Sequence, residues 1–286
     1  MLVFSGLSSG ELAAKVINKG GFFEGPIERN VFPDGELYLR IGTDIKGDEC
    51  TVVSSIKSNN DLVDLLLLLD ALRDQGAGKI IAVLPYLTYA RQDKIFVQGE
   101  GQSAKTVVKL ISGLADEIWT MNCHFLDTEG EGEFKGYKIK NLDGFPLLGK
   151  YFTEKLDDPV LIAPDKGSLE YAKRAANIIG CEFDFLSKKR ISSKAVEYEK
   201  KELDVAKKDV LILDDIISTG GTIISAANFI RKYNPASINV GCVHGVFATG
   251  TRDLKKTVDR LICTDTIQRP ESKVSVAELI AEELRK

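Results

Sequence analysis

Short apolar runs alternate with stretches of helical periodicity along most of the chain. The run 80–84, Ile-Ile-Ala-Val-Leu, is of the first kind and stops at a proline. The run 65–72 is of the second kind, because its leucines form a stripe along one helical face. Such alternation is typical of parallel sheets covered by helices on both faces. The sequence therefore predicts an α/β fold, with helices near residues 9–19, 61–75, 103–113, 168–179, 220–232 and 275–285.

The second half of the chain repeats the order of elements in the first. Residues 52–60 match residues 212–220 at an offset of 160, and residues 79–83 match residues 237–241 at an offset of 158. Nearly constant offsets indicate an internal repeat. We therefore expect two tandem domains, each a mostly parallel sheet flanked by helices, over residues 1–146 and 147–286.

The stretch from Val210 to Thr222 carries the most chemical information. An apolar strand is predicted to end at Asp214–Asp215, and hydroxyls and two glycines follow before a helical pattern begins. Free amides at a helix N-terminus, beside small hydroxyls, form a cradle for phosphate. The carboxylates repel phosphate, so they suit sugar hydroxyls or a divalent cation that accompanies the substrate. The plainer interpretation is a tight turn that Asp214 caps.

The corresponding stretch of the first half lacks these features. Ser54–Ser55 stands where the second half has its two acids, and Asn60–Asp61 stands where it has its two glycines. The first copy has therefore lost the acids and the cradle. We expect it to serve another purpose, either binding a second substrate or forming an oligomer.

Two further segments of the first half offer ligand-binding groups. Arg91 and Gln92 follow the strand at 80–84, and ligands of parallel α/β sheets bind at the carboxyl ends of strands. A guanidinium there suits phosphate and an amide can contact a base edge, although a solvated loop is the plainer interpretation. Residues 30–40 predict a hairpin around Pro-Asp-Gly, with Phe32 either in the core or stacking on a base.

Single polar residues at other predicted strand ends are weaker candidates. His124 and His244 each follow a strand, where a histidine is more often a hydrogen-bonded structural residue than a ligand. Asp165 precedes a helix and could simply cap it. The basic run 188–194 could close on phosphates, although a solvated charged surface is the usual interpretation.

Composition and charge narrow the class of protein. The net charge of -4 and the pI near 5.5 argue against a broad nucleic-acid surface. The five cysteines are widely spaced without a CxxC pair, which favours reduced core residues over disulfides or a zinc site. No signal segment and no apolar run of the ~20 residues that span a membrane is visible. We therefore expect a cytoplasmic protein with no membrane or nucleic-acid partner.

Taken in order, the motifs resemble those of one enzyme family. They are Phe-x-Asp-Gly-Glu at 32–36, Tyr-Ala-Arg-Gln-Asp-Lys at 89–94, the histidine at 124, Pro-Asp at 164–165, Lys-x-Arg at 188–190 and Asp-Asp…Thr-Gly-Gly-Thr at 214–222. The 214–222 stretch is similar to the phosphoribosyl-pyrophosphate loop of type I phosphoribosyltransferases. The whole set, from about residue 2 to 270, resembles the ribose-phosphate pyrophosphokinases. That resemblance implies two tandem type I phosphoribosyltransferase-like domains.

The resemblance also implies a reaction and roles for the residues. ATP and ribose 5-phosphate would give phosphoribosyl pyrophosphate and AMP, with Mg²⁺ as cofactor and a homodimer or higher oligomer as the assembly. The ribose 5-phosphate site would comprise Asp214, Asp215, Ser218, Thr219, Gly220, Gly221 and Thr222. ATP would contact Arg91 and Gln92, and Phe32, Asp34 and Glu36 from a hairpin that reaches a neighbouring subunit's site. His124 and Asp165 would contact the metal, directly or through water, and Lys188 and Arg190 would close over the phosphates.

The sequence departs from the family pattern, and three alternative functions stay open. Residues 95–103 replace a basic segment that serves allosteric control in many members, so that control is in doubt here. A salvage phosphoribosyltransferase would need one catalytic domain and no Arg91–Gln92 or His124 set. A non-catalytic regulatory subunit would have lost His124, Asp165, Lys188 or Arg190. A nucleic-acid-binding regulator would need a helix-turn-helix or a basic face.

Overall fold

The computed structural model describes residues 1–126, 128–164, 169–190, 196–198 and 203–286. Contacts divide the chain into two units. Unit 1 comprises Met1–Asp143 together with Val276–Lys286, and unit 2 comprises Gly144–Ser275. The predicted boundary after residue 146 lies close to the first division, but the last helix, which we expected in the second domain, packs in unit 1.

The elements are numbered in chain order. The strands are β1 (Leu2–Ser5), β2 (Phe23–Glu24), β3 (Ile27–Val31), β4 (Leu37–Ile41), β5 (Glu49–Val53), β6 (Lys79–Leu84), β7 (Glu117–Met121), β8 (Gly130–Phe134), β9 (Tyr137–Leu142), β10 (Pro159–Ala163), β11 (Glu182–Phe185), β12 (Lys188–Arg190), β13 (Val196–Tyr198), β14 (Asp209–Ile217), β15 (Ser237–Gly245), β16 (Arg260–Thr264) and β17 (Ser272–Val274). The helices are α1 (Gly10–Gly20), α2 (Asn59–Asp74), α3 (Ser103–Ser112), α4 (Phe145–Thr153), α5 (Leu169–Ile179), α6 (Gly221–Ile230), α7 (Arg252–Thr257) and α8 (Ala277–Leu284).

Unit 1 is built on a seven-stranded sheet in the order β2-β1-β5-β6-β7-β9-β8. Its neighbouring strands are parallel, except that β8 and β9 pair antiparallel. The inner strands are almost wholly apolar and buried, as expected where helices cover both faces of a sheet. Helix α2 buries its leucine stripe against this sheet, which confirms that prediction.

Helix α8 completes unit 1 by packing on α1. Its apolar face of Ala277, Ile280 and Ala281 is buried. Lys140 lies 2.9 Å from Glu283, and Arg285 donates to the Lys19 carbonyl at 3.0 Å. The amphipathic pattern predicted the helix, but it carried no information about which sheet the helix covers.

Unit 2 is built on a six-stranded sheet in the order β11-β10-β14-β15-β16-β17, with every neighbouring pair parallel. Its long central strands β14 and β15 are buried along most of their length. Two short helices, α4 and α7, were not predicted. Helix α4 begins at Phe145 with a proline in its first turn, in the stretch that we took for a domain boundary.

The two units repeat one topology, as the sequence offsets predicted. In each sheet the first strand lies next to the second, which is at the edge, and on its other side strands follow in chain order, β5-β6-β7 in unit 1 and β14-β15-β16-β17 in unit 2. Along the chain of each unit, a two-stranded antiparallel ribbon follows the edge strand. It is β3–β4 after β2 in unit 1 and β12–β13 after β11 in unit 2. No helix among the described residues is long and apolar enough to cross a membrane.

Candidate active site

Most of the predicted site residues of unit 2 lie at the carboxyl end of its central strand. Strand β14 does not end at Asp214–Asp215, as we expected, but continues to Ile217, because Ile216 and Ile217 pair with His244 and Gly245 of β15. Both carboxylates are half-buried. Asp214 Oδ1 accepts from the Asp215 amide at 3.1 Å, and Asp215 Oδ1 accepts from the Ile216 amide at 2.8 Å. The backbone therefore holds the orientation of both acids.

The predicted cradle is the turn from Ser218 to Thr222 that opens helix α6. Gly220 caps the helix with φ +82°, and a Cβ there would lie 2.7 Å from Leu254 Cδ1, so only glycine fits. Ile224 makes a helical hydrogen bond to the Gly220 carbonyl, and the amides that precede it face out of the helix start. The first turn contains no acidic residue. The turn therefore offers backbone donors and positive helix-dipole potential to an anion.

A second loop of unit 2 braces this cradle. The amides of Val246 and Phe247 donate to the Ile217 carbonyl at 3.1 and 3.0 Å, and the Ala248 amide donates to the Ser218 carbonyl at 2.8 Å. Thr249 Oγ1 donates to the Thr219 carbonyl at 3.2 Å. These hydrogen bonds therefore fix the backbone at the start of the cradle. The sequence offered no signal for this bracing, because it uses backbone groups of an ordinary loop.

The remaining residues near this strand end are structural. His244 is buried, with Nδ1 2.9 Å from Thr266 Oγ1, which agrees with the structural interpretation of this histidine. None of the five cysteines, which all lie among the described residues, forms a disulfide, and four of them are buried. Burial raises the pKa of the Cys263 thiol to about 11 and that of Cys242 well above its ordinary value, so neither forms a thiolate at neutral pH.

Three predicted residues of unit 1 lie on the hairpin of β3 and β4. The antiparallel pairing confirms the predicted hairpin, and the turn closes with a 2.8 Å bond from the Phe32 amide to the Glu36 carbonyl. Asp34 Oδ1 accepts from the Glu36 amide at 3.3 Å. Phe32 is 50% exposed and meets Tyr38 edge-on, so the interpretation of Phe32 as a core residue is wrong. An exposed ring at a hairpin tip is available to stack on a flat ligand.

One ion pair ties this hairpin to the rest of unit 1. Arg29 on β3 donates to Asp64 of α2 at 2.6 and 3.1 Å, and to the Ser5 carbonyl at 2.6 Å. Asp64 also accepts from the Leu7 amide at 2.9 Å, and its side chain is 3% exposed. The pair therefore joins the hairpin to the carboxyl end of β1. Sequence reasoning missed it, because the two residues are separated by 35 positions.

Arg91 and Gln92 lie in the loop that follows β6. The loop is pinned where the Ile56 amide donates to the Tyr86 carbonyl at 2.8 Å and where Tyr89, with φ +68°, donates to Asn59. The Ala104 amide at the start of α3 donates to the Gln92 carbonyl at 3.3 Å. Arg91 is exposed and Gln92 is half-buried. An exposed guanidinium on an ordered loop suits a phosphate ligand.

His124 lies in the turn that follows β7, the strand next to β6. Its side chain is exposed, whereas Cys123 on one side and Leu126 on the other are buried. Since β6 and β7 are parallel neighbours, their following loops leave the sheet at one edge. Arg91, Gln92 and His124 therefore belong to the same edge of unit 1.

The loop of unit 1 that corresponds to the cradle is closed by its own acid. Asp61 Oδ2 accepts from the amides of Lys57 and Ser58 at 3.1 and 2.9 Å, and from Ser58 Oγ at 2.7 Å. Asp61 is 1% exposed and completes a capping box at the start of α2. The carboxylate takes the donors that a phosphate would need, which agrees with the predicted loss of the cradle in the first copy.

The remaining predicted residues of unit 2 are one aspartate and two basic residues. Asp165 lies outside the described residues. Lys188 and Arg190 are the ends of β12, whose backbone pairs with β13 in the register Lys188↔Tyr198 and Arg190↔Val196. The two basic residues are therefore presented on a ribbon, and not on a helix or on the main sheet of unit 2.

The donor chemistry fits a magnesium ion that a substrate carries. Among the described residues, no three His, Cys, Asp or Glu side chains gather as a metal cage. Mg²⁺ rarely needs such a cage, because water and substrate phosphates supply most of its ligands. Imidazole is a poor direct ligand for this hard ion, so an exposed His124 suits a contact through water or to a phosphate oxygen.

Comparison with known proteins finds similar sequences and structures that cover both units. The sequence model of the N-terminal domain of ribose phosphate pyrophosphokinase matches residues 1–114, and the model of the phosphoribosyl transferase domain matches residues 146–278. A ribose-phosphate pyrophosphokinase of Archaeoglobus fulgidus is 43% identical over 97% of each chain, and one of Methanothermobacter thermautotrophicus is 42% identical over 91% of each. The crystal structure of phosphoribosylpyrophosphate synthetase from Mycobacterium smegmatis superposes with a TM-score of 0.84 at 27% identity, covering 99% of this chain and 97% of the other.

Proposed function

The chain belongs to the ribose-phosphate pyrophosphokinase family, and we propose that it catalyses the transfer of the diphosphoryl group of ATP to ribose 5-phosphate. The anomeric hydroxyl of the sugar attacks the β-phosphorus of ATP, giving phosphoribosyl pyrophosphate for nucleotide biosynthesis and AMP. The observation that carries this proposal is the ordered acid pair and cradle on β14 and α6, in a chain that matches family members over nearly its full length.

Ribose 5-phosphate binds in unit 2. The Asp214 and Asp215 carboxylates accept hydrogen bonds from the ribose hydroxyls, and the turn formed by residues 218–222 binds the 5-phosphate. Two observations support this assignment of ribose 5-phosphate to unit 2. Neighbouring amides orient the carboxylates, and the loop 246–249 fixes the cradle, so little conformational entropy is lost on binding.

ATP is bound by residues of unit 1. Arg91 contacts its phosphates and Gln92 contacts the nucleotide. Phe32 stacks on the adenine and Asp34 and Glu36 contact it, from a hairpin that serves the site of a neighbouring subunit. The exposure of Phe32 and the rigid turn beneath it support this role. The proposal therefore includes self-association, as a homodimer or a higher oligomer.

Mg²⁺ accompanies the ATP. Asp165, directly or through water, and His124, through water, would hold the ion, and the bound ion would neutralise charge on the phosphates of ATP. Lys188 and Arg190 bring cationic side chains from the β12–β13 ribbon to the transferred phosphates. Diphosphoryl transfer depends on in-line positioning and charge stabilisation, and no general base is assigned. Removal of one such cation costs about 2.7–4 kcal/mol, by analogy with deletion of an oxyanion donor.

A product assay tests the reaction. Purified protein is incubated with Mg-ATP, with and without ribose 5-phosphate, and nucleotides are separated by chromatography. We expect AMP only when the sugar is present, in equal amount to phosphoribosyl pyrophosphate. ADP in place of AMP would indicate ordinary kinase chemistry and overturn the proposal. A cytoplasmic location, which the wide spacing of the cysteines favours, remains a prediction that cell fractionation tests.

A further inference from the structure

A buried asparagine on β9 holds both ends of the connection between β7 and β8, which carries His124. Asn141 Oδ1 accepts from the Cys123 amide at 3.0 Å, and its Nδ2 donates to the Thr128 carbonyl at 2.9 Å. The same Oδ1 accepts from Thr120 Oγ1 at 3.1 Å. Asn141 is 3% exposed.

The position of Asn141 in the sheet explains how one side chain reaches both ends. Strand β9 lies between β7 and β8, and Asn141 is in register with Thr120 on one side and with Gly130 on the other. The connection leaves β7 and returns into β8, so its two ends flank the asparagine. An amide group suits this place, because it offers an acceptor to one end and a donor to the other.

A second buried contact fixes the first residue of the connection. Asn122 has φ +39°, an uncommon value for a residue other than glycine, and its Nδ2 donates to Asp143 Oδ1 at 2.8 Å. Both side chains are buried. The backbone that precedes His124 is therefore fixed at Asn122 and Cys123 by buried polar side chains.

We propose that Asn141 is a positioning residue for His124. By holding the Cys123 amide and the Thr128 carbonyl, it fixes the place from which His124 meets the magnesium–triphosphate of ATP. This inference rests on the role proposed for His124 above. Groups that support a ligand from beneath commonly affect function by about 10–100-fold when they are removed.

The first experiment measures the connection itself, without substrate. Asn141→Ala removes all three contacts, while Thr120→Val is a matched control that removes one contact to the same Oδ1 and leaves the backbone of the connection untouched. We expect hydrogen exchange in residues 122–130 to be about tenfold faster or more in Asn141→Ala and little changed in Thr120→Val. Equal exchange in Asn141→Ala and wild type would overturn the inference. If Asn141→Ala does not fold, Asn141→Asp replaces it, which keeps the acceptor for the Cys123 amide but opposes a carboxylate oxygen to the Thr128 carbonyl.

The second experiment measures binding and turnover. We expect Asn141→Ala to weaken calorimetric binding of Mg-ATP and to lower kcat/KM for Mg-ATP by about 10–100-fold, with less than about twofold change in KM for ribose 5-phosphate. In a His124→Ala background, Asn141→Ala should add little further loss of Mg-ATP binding or turnover, because both changes remove the same contact of His124 with Mg-ATP. Independent, multiplicative losses would show that Asn141 does not act through His124.

The outcomes separate this inference from the proposed function. If His124→Ala is defective and Asn141→Ala is not, only the inference fails. If His124→Ala binds and turns over Mg-ATP normally, the role proposed for His124 fails and the inference fails with it. If both are defective and not additive, both stand.

Discussion

The ion pair between Arg29 and Asp64 should stabilise unit 1 and hold the β3–β4 hairpin in place. Arg29→Met keeps the length of the side chain but removes three hydrogen bonds, two to Asp64 and one to the Ser5 carbonyl. Asp64 then remains as a carboxylate that is 3% exposed, with the Leu7 amide still donating to it. The β3–β4 hairpin loses its link to the carboxyl end of β1.

The expected loss of stability in Arg29→Met depends on how deeply the ion pair is buried. Breaking a buried ion pair by removing one partner costs about 3–5 kcal/mol. The Arg29 side chain is 22% exposed and the Leu7 amide still compensates Asp64, so we expect a loss of about 2–3 kcal/mol in the free energy of unfolding. For a chain of this size that corresponds to a fall in Tm of about 4–12 °C.

A matched control lies on the same hairpin. Arg40 pairs with Glu28 at 2.9 Å, but these side chains are 64% and 48% exposed. Arg40→Met removes the same charge from the same ribbon and should cost about 0–1 kcal/mol. Thermal unfolding of the two variants, together with KM for ATP, checks the reasoning. We expect Arg29→Met to raise KM for ATP and Arg40→Met to leave stability nearly unchanged; equal stability losses would refute the account of the hairpin.

Three further predictions concern catalysis, the cradle and pH. Lys188→Ala and Arg190→Ala should each lower kcat by about 100-fold or more with little change in affinity for ribose 5-phosphate, and unchanged turnover in both would contradict their role. Gly220→Ala forces alanine to φ +82° and against a leucine side chain, so calorimetry should show about tenfold weaker ribose 5-phosphate binding or more. Burial opposes ionisation of Glu117, but hydrogen bonds led by that from Lys79 outweigh it and hold the pKa of Glu117 below its ordinary 4.5. The stability from this lowered pKa is present above pH 4.5 and is lost as pH falls through the lowered value. Glu117→Gln should therefore be less stable than wild type at neutral pH, by about 0–1 kcal/mol since the pair is partly exposed, and the difference in unfolding free energy should shrink in acid.

Local patterns predicted most of the elements and the repeat, but not the short helices α4 and α7 or the long-range contacts. The leucine stripe of α2 and the Pro-Asp-Gly hairpin were visible because both depend on neighbouring residues. The end of β14 was misjudged because Ile216 and Ile217 extend the strand only through pairing with β15. The sequence also could not predict which unit α8 packs in, since its apolar face would suit either sheet.

At the candidate site too, sequence patterns predicted features within one segment but not contacts between distant segments. The acids and cradle of unit 2 form one continuous segment, so their residue types were informative on their own. Asn141, by contrast, is one of several polar residues in the strand Tyr137–Leu142, which also contains Lys138 and Lys140. Its importance depends on Cys123 and Thr128, which are 18 and 13 positions away. No local signal marks Asn141, because it directly follows Lys140 in a strand of mixed polarity.

The most direct test of the central claim is calorimetric titration of ribose 5-phosphate. The titration is made with Mg²⁺ and α,β-methylene-ATP present, because the bond that breaks in the reaction is then inert. We expect saturable binding by wild type, and binding weaker by about tenfold or more in the Asp214→Asn, Asp215→Asn double variant, with affinity for the nucleotide unchanged. Ribose 5-phosphate affinity that is the same in both proteins would contradict the assignment of the sugar to the acid pair of unit 2.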